Sequence, residues 1–383
     1  MAEDVWAEGH AGVSPRQVET DTERTSPRAR LPTPRGSCHD GRMIESFTVS
    51  NFGCVRNASA KLTPLHAFIG PNDSGKSTVL RALQWAAAWR RPQTVPAQVS
   101  DGGGRVELSL RSVRASGRIS VQPHDRLGTV RRLVSHSSTA GPSGFETDLS
   151  RIGLVEAAGS AELVRFDPDR LREPSPLLTR SKLPTFVSSR GLGLPAVLLD
   201  LRGRPDDLGA RIDQRFKERF PYVKGISLPA TDDNRVALEL VTTDGKTLST
   251  SQLSEGLLYY LAFEALRHVE DVKLLLVEEP ENGLHPARIA DVVKVLREIS
   301  ESGTQVVMAT HSPLVINELG ADEVTLVTRP SVEEGTKLTP MRATRNFEQR
   351  SKVYALGELW LAYADGETEA QLVAEAPSED AAQ

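Results

Sequence analysis

The sequence predicts an α/β fold in which a mixed sheet core carries an antiparallel β lobe and is interrupted by an inserted α/β lid. Three observations lead there. Residues 65–69, 274–277 and 305–310 are apolar runs of strand length without alternation, as expected of strands covered on both faces. A glycine-containing loop follows the first run and opens a helix-patterned stretch over 78–86. Residues 105–111, 117–122 and 128–134 alternate apolar and polar side chains between glycines and prolines, the pattern of an antiparallel meander.

The loop reads Gly70-Pro71-Asn72-Asp73-Ser74-Gly75-Lys76-Ser77-Thr78 and fits the phosphate-binding pattern G-x-x-x-x-G-K-[ST] without a gap. Gly70 and Gly75 let the backbone curl until successive N–H groups point inward, and the following helix presents its positive end to phosphate. Lys76 adds a point charge between the β- and γ-phosphates, and Ser77 offers a hydroxyl to Mg²⁺. A strand before the loop and a helix after it supply the context the pattern requires, which makes the chain a P-loop NTPase.

Composition bounds the rest. The chain has 383 residues, 39% hydrophobic and 25% charged, enough for one large domain or two ordinary ones. No run approaches eighteen apolar residues and the start, Met1-Ala2-Glu3-Asp4, lacks the basic and apolar regions of a secretion signal, so a cytoplasmic protein with no membrane partner is expected. Cys38 and Cys54 cannot make a disulfide framework or a zinc cage. A formal net charge of -5 gives no global pull toward nucleic acid, so any DNA contact needs a local basic patch.

Residues 1–42 are rich in Pro, Ser, Thr, Arg and acids and read as a disordered tail, with Met43 a candidate true start. Residues 43–134 form the first part of the core domain. Strands are expected at 44–49, 58–62 and 65–69, with a turn around Asn51-Phe52-Gly53. This opening, followed by the G-P-N-x-S-G-K-S loop, resembles the RecF, Rad50 and OLD group of ABC-type ATPases. The resemblance implies ATP and Mg²⁺ as cofactors and puts Phe52 near the base or ribose; as a residue, a phenylalanine here reads equally well as simple core. Between Arg81 and Arg132 ten arginines face three acids, a surplus suited either to a duplex DNA backbone or to a solvated surface.

Residues 135–245 read as the inserted region: loop to 155, a strand at 161–166, helices at 196–201 and 207–220, and strands at 222–228 and 235–241. No heptad repeat is long enough for a coiled-coil arm.

Residues 246–345 supply the second half of the core. Gln252-Leu253-Ser254-Glu255-Gly256 precedes an apolar helix at 257–266 and looks like a variant of the family's L-S-G-G-Q signature, in which Ser254 and Gly256 would meet the nucleotide bound to a second subunit. Glu255 replaces the first glycine and Leu257 the glutamine. The apolar strand ending in Glu278-Glu279-Pro280-Glu281 matches the second nucleotide motif. There Glu278 would orient Mg²⁺ through water, with Glu in place of the group's usual Asp, and Glu279 would be the general base. Asn282-Gly283-Leu284-His285-Pro286 falls where the family has a dimer-contact loop, which makes His285 a packing or contact residue. The strand at 305–310 delivers His311, similar to the switch histidine that donates to the γ-phosphate.

The resemblance spans most of 43–328. Residues 346–383 are expected to add a helix at 356–361, packed on the sheet, and a loose acidic end. Asp365-Gly366-Glu367-Thr368-Glu369 faintly resembles the first acidic motif of the OLD nuclease domain, but the chain stops too soon for the second, so no built-in nuclease is expected. The resemblance implies an ATPase with Lys76, Glu279 and His311 as catalytic residues, an ATP-sandwiched homodimer, and a role with duplex DNA or a separate nuclease or effector protein in repair or phage defence. An ATP-gated sensor with negligible turnover and a transporter ATPase subunit are the other two readings.

Overall fold

The computed structural model describes residues 43–87, 104–111, 115–123, 130–138, 161–177, 188–268, 272–344, 347–352 and 354–364. The expected tail over 1–42, most of the arginine surplus and the acidic segment beginning at Asp365 lie outside the described residues or side chains.

The first strands are β1 (Met43–Phe52), β2 (Val55–Lys61) and β3 (Leu65–Ile69), followed by α1 (Lys76–Ala87) and the meander β4 (Arg105–Arg111), β5 (Ala115–Pro123) and β6 (Val130–Ser138). Then come β7 (Ala161–Val164), α2 (Pro168–Arg172), β8 (Ser175–Pro176), α3 (Leu194–Arg202), α4 (Leu208–Arg219), β9 (Val223–Ser227), β10 (Arg235–Val236), β11 (Glu239–Thr242) and β12 (Thr247–Ser249). The chain continues through α5 (Glu255–Leu266), β13 (Leu274–Glu278), α6 (Pro286–Glu301), β14 (Gln305–Thr310), α7 (Pro313–Asn317), β15 (Val324–Thr328), β16 (Lys337–Pro340), α8 (Phe347–Arg350) and α9 (Leu356–Ala364).

The central sheet has six strands in the order β16-β15-β3-β14-β13-β7, parallel throughout except for β16. Alternation along each strand fills two cores at once. Leu65, Ala67, Ile69, Leu275, Val277, Val306 and Met308 face α5 and α6, while Phe68, Leu274, Leu276, Val307 and Ala309 face α1 and the antiparallel lobe. That two-sided burial explains the unbroken apolar runs in the sequence. The strand at 161–166, placed by sequence in the inserted stretch, is edge strand β7 of this sheet, paired parallel to β13.

The lobe is a five-stranded antiparallel sheet, β2-β1-β4-β5-β6. One side chain fastens it to the core sheet: Gln305, at the start of β14, accepts from the Ile44 N–H (2.9 Å) and donates to the carbonyls of Ile44 (2.9 Å) and Thr63 (3.1 Å). Phe47 of β1 meets Phe68 of β3 edge to face at 5.8 Å.

Three expectations need correction. Phe52 is fully buried with its ring 5.8 Å from Trp85, so it packs the lobe against α1 and is not exposed to a base or ribose. The strand expected over 235–241 is two strands in different sheets, β10 with β8 and β11 between β9 and β12. The change of partner falls at Ala237, whose N–H donates to Pro229 O (2.9 Å). Helix α9 packs on α7 and not on the sheet: the Gly357 N–H donates to Asn317 Oδ1 (2.7 Å), and a Cβ at Gly357 would stand 2.2 Å from Pro313 O.

His66 sits inside β3 with Nδ1 3.1 Å from Thr63 Oγ1 and Nε2 3.0 Å from Thr325 Oγ1. Burial lowers its pKa from 6.5 to about 4, with the Glu323 carboxylate acting in the opposite direction. Between those values the unfolded chain binds a proton that the folded chain does not, so stability falls as pH drops through the window. Urea unfolding of the wild type should lose on the order of 2 kcal/mol more between pH 7 and pH 4.5 than that of His66→Gln; equal losses would refute the assignment.

Candidate active site

The loop between β3 and α1 has the shape its residues require. Gly75 lies at φ 107°, and a Cβ there would meet Thr336 Oγ1 at 2.3 Å and Cys54 Sγ at 2.8 Å. A Cβ on Gly70 would stand 2.1 Å from Val327 O. Asp73 takes the left-handed conformation, φ 63°, that Asp tolerates better than most residues. Pro71, Asn72 and Asp73 are exposed, Ser74 is buried, and Ser77 and Thr78 are half-buried in the first turn of α1. The Thr336 hydroxyl donates to Ser74 O (2.8 Å) and so supports the loop from β16's side.

Lys76 folds back over the loop, its Nζ donating to the carbonyls of Gly70 (2.8 Å) and Pro71 (2.7 Å). Burial lowers its pKa, while the carboxylates of Glu279, Glu281 and Asp73 act to raise it.

The acidic turn leaves β13 at the same sheet edge. Glu278 is 5% exposed and its Oε1 is buried without a hydrogen-bond partner. Glu279 adopts φ 49°, a conformation that costs a side-chain-bearing residue roughly 1–2 kcal/mol. Its N–H still donates to Ala309 O (2.8 Å) and its carbonyl accepts from the Asn282 N–H (3.1 Å), so the turn is held from both sides. The Glu279 Oε2 accepts from Arg165 Nη2 (2.8 Å) and Asn282 Nδ2 (2.6 Å).

Glu281 points the other way. Its Oε1 accepts from the Thr310 hydroxyl (2.7 Å) and the His311 N–H (3.2 Å), tying the acidic turn to the end of β14. His311 keeps an exposed ring with Nδ1 3.5 Å from Glu281 Oε1 and 3.9 Å from Glu279 Oε1, and its carbonyl accepts from Trp360 Nε1 (3.3 Å). Lys76, Glu278, Glu279 and His311 thus gather at the C-terminal ends of three adjacent parallel strands, where open α/β sheets bind ligands.

Ser254 and Gly256 stand at the start of α5, where a Cβ on Gly256 would lie 3.5 Å from Gly283 O. Ser254 is the exposed N-cap of α5, its side chain making no capping bond, and the helix begins at Glu255, so Gly256 is inside the first turn instead of ahead of it. They line an open cavity of about 680 Å³ with Phe220, Tyr222, Gly283 and His285, and no phosphate-loop residue lines it. His285 is the N-cap of α6, accepting the Ala287 N–H at 3.2 Å.

Among the described residues no group of three or more His, Cys, Asp or Glu side chains could hold a metal by itself. The donors present fit Mg²⁺ in its nucleotide-bound form, which needs one hydroxyl and one carboxylate beside phosphate oxygens: Ser77 is at the loop, and the unpartnered Glu278 Oε1 is at the facing strand end. Sequence reasoning did not assign roles to Arg165, Glu281 or Thr336, and placed Asn282 only in the dimer-contact loop. The signal for Glu281 and Asn282 was their place beside Glu278-Glu279; none marked Arg165 or Thr336.

Comparison with known proteins bears on the fold and the class of protein. A family described as an AAA ATPase domain matches residues 43–86, and one described as an AAA domain, putative AbiEii toxin, Type IV TA system, matches residues 183–317. An OLD nuclease of Thermus scotoductus is 24% identical over 322 residues, covering 71% of this chain and 59% of its own length. The chain thus spans less than two thirds of that relative. Among solved structures, an SmcHead bound to the C-winged helix domain of ScpA aligns with a TM-score of 0.50 and 13% identity over 78% of this chain and 97% of that one, a likeness of fold. The fold is therefore that of a P-loop ATPase domain of the ABC type. Within that class the sequence is similar to AAA-type ATPase domains and to an OLD nuclease. Among the described residues no helix is long and apolar enough to cross a membrane.

Gly75→Ala should keep the fold but abolish detectable binding of a fluorescent ATP analogue, because the added Cβ collides with Thr336 and Cys54. Wild-type affinity in that variant would show that the loop does not hold phosphate.

Proposed function

We propose that the protein binds ATP with Mg²⁺, dimerises on it, hydrolyses it at two composite sites, and couples hydrolysis to DNA or to a separate nuclease or effector. The observation that carries this reading is the division of the site. Lys76, Glu279 and His311 share one sheet edge, while Ser254 caps a helix in a separate cavity. A second copy would bring that helix to the first copy's nucleotide.

In the proposed mechanism the loop N–H groups and Lys76 bind and orient the phosphates. Ser77 and Glu278 would hold Mg²⁺, which supplies charge neutralisation at the phosphate oxygens. Glu279 takes the proton from the attacking water through the oxygen nearer His311, and His311 donates a hydrogen bond to the γ-phosphate as charge builds there. Ser254 and the positive end of α5 complete the cage from the partner subunit. The OLD nuclease likeness favours a task involving DNA, and repair or phage defence is the setting we infer.

Glu279→Gln should lower steady-state ATP turnover at least about 100-fold while ATP still binds and drives dimerisation, read by light scattering. Undiminished turnover would remove Glu279 as base, and a strictly monomeric Mg-ATP complex would remove the composite site. Duplex DNA should stimulate wild-type hydrolysis at low salt and lose that effect steeply with added salt; a response unchanged by salt would exclude contact through phosphates.

A further inference from the structure

The Glu279 side chain is held by more than its own turn. Val164 of β7 pairs with Val277 of β13, so Arg165 leaves the sheet directly beside Glu278. Its N–H donates to Ser189 O (2.9 Å), which fixes the backbone there. The guanidinium reaches across the strand end, with Nη2 2.8 Å from Glu279 Oε2 and Nη1 3.8 Å from Glu278 Oε2. From the turn below, Asn282 Nδ2 donates to that same Glu279 Oε2 at 2.6 Å.

Both donors therefore converge on one oxygen. The other, Oε1, is 3.9 Å from His311 Nδ1. A carboxylate on an exposed turn would otherwise rotate about its side-chain bonds, and two donors from independent elements remove that freedom. We propose that Arg165 and Asn282 are positioning residues that clamp Oε2 of Glu279 so that Oε1 faces the reacting water. This rests on Glu279 being the general base.

An exposed ion pair usually contributes little, and if Arg165 were only that, its loss would leave turnover unchanged. If Arg165 instead contacted the phosphates, its loss would weaken nucleotide binding. A clamp predicts a third result: slower chemistry at unchanged affinity.

The test uses the full chain and compares Arg165→Ala, Arg165→Lys, Asn282→Ala and Glu279→Gln. The readouts are kcat, KM for ATP and direct binding of N-methylanthraniloyl-ATP with Mg²⁺. We expect Arg165→Ala and Asn282→Ala each to lower kcat roughly tenfold or more, with analogue affinity within about threefold of wild type. Arg165→Lys should recover part of the lost kcat, since an ammonium still offers a donor without the planar fork. A kcat within twofold of wild type in Arg165→Ala overturns the clamp, as does a fall in affinity matching the fall in kcat/KM. Should Arg165→Ala not fold, Arg165→Lys and Asn282→Ala decide alone, wild-type kcat in both overturning the proposal. Glu279→Gln separates the two layers: full turnover there sinks the general-base reading and the clamp together, while an inactive Glu279→Gln beside a fully active Arg165→Ala sinks the clamp alone.

Discussion

The parallel ladder joining Leu65–Ile69, Gln305–Thr310 and Leu274–Glu278 sets the position of everything that touches the nucleotide site. Ile69 is level with Thr310, and Glu278 with Ala309, so the phosphate loop, the acidic turn and His311 leave the sheet at one edge. The same register decides which side chains enter which core. A slip of one residue would move Phe68, Val307 and Leu276 to the face occupied by α5 and α6. Core packing therefore enforces the alignment of the site, and the two cannot vary independently.

At that edge the polar groups interlock across strands. Glu281 spans from the acidic turn to Thr310 and His311, and Thr336 reaches under the loop to Ser74. Each contact joins segments that come from different strands, so a shift in one is felt by the next. The left-handed backbone at Glu279 is tolerated within this frame because hydrogen bonds to Ala309 and Asn282 fix the turn on both sides.

Much of this was legible in the sequence, for local reasons. The loop's glycines and lysine, the apolar strand ending in acids and the strand delivering His311 each declare themselves within about ten residues. What stayed hidden depends on distant register. Arg165 and Glu279 are 114 positions apart and Thr336 and Ser74 are 262 apart, and only sheet order brings them together. Phe52 stayed open for a different reason: an aromatic beside a ligand and an aromatic in a core look alike in sequence, and its burial against Trp85 decided between the two. The segment over 235–241 alternates as one strand would, yet its two halves answer to different partners.

Gln305 stands at one end of β14 and His311 follows the other, about 20 Å apart at the rise of an extended chain. With its amide locked to the Ile44 backbone, the strand acts as a strut between the antiparallel lobe and the sheet edge where His311 stands. Close-packed on both faces, a strut cannot bend to absorb movement. A displacement of the lobe at Ile44 therefore bears on the same rod that ends at His311. The lobe and the sheet edge that presents His311 are thereby the two ends of one stiff element.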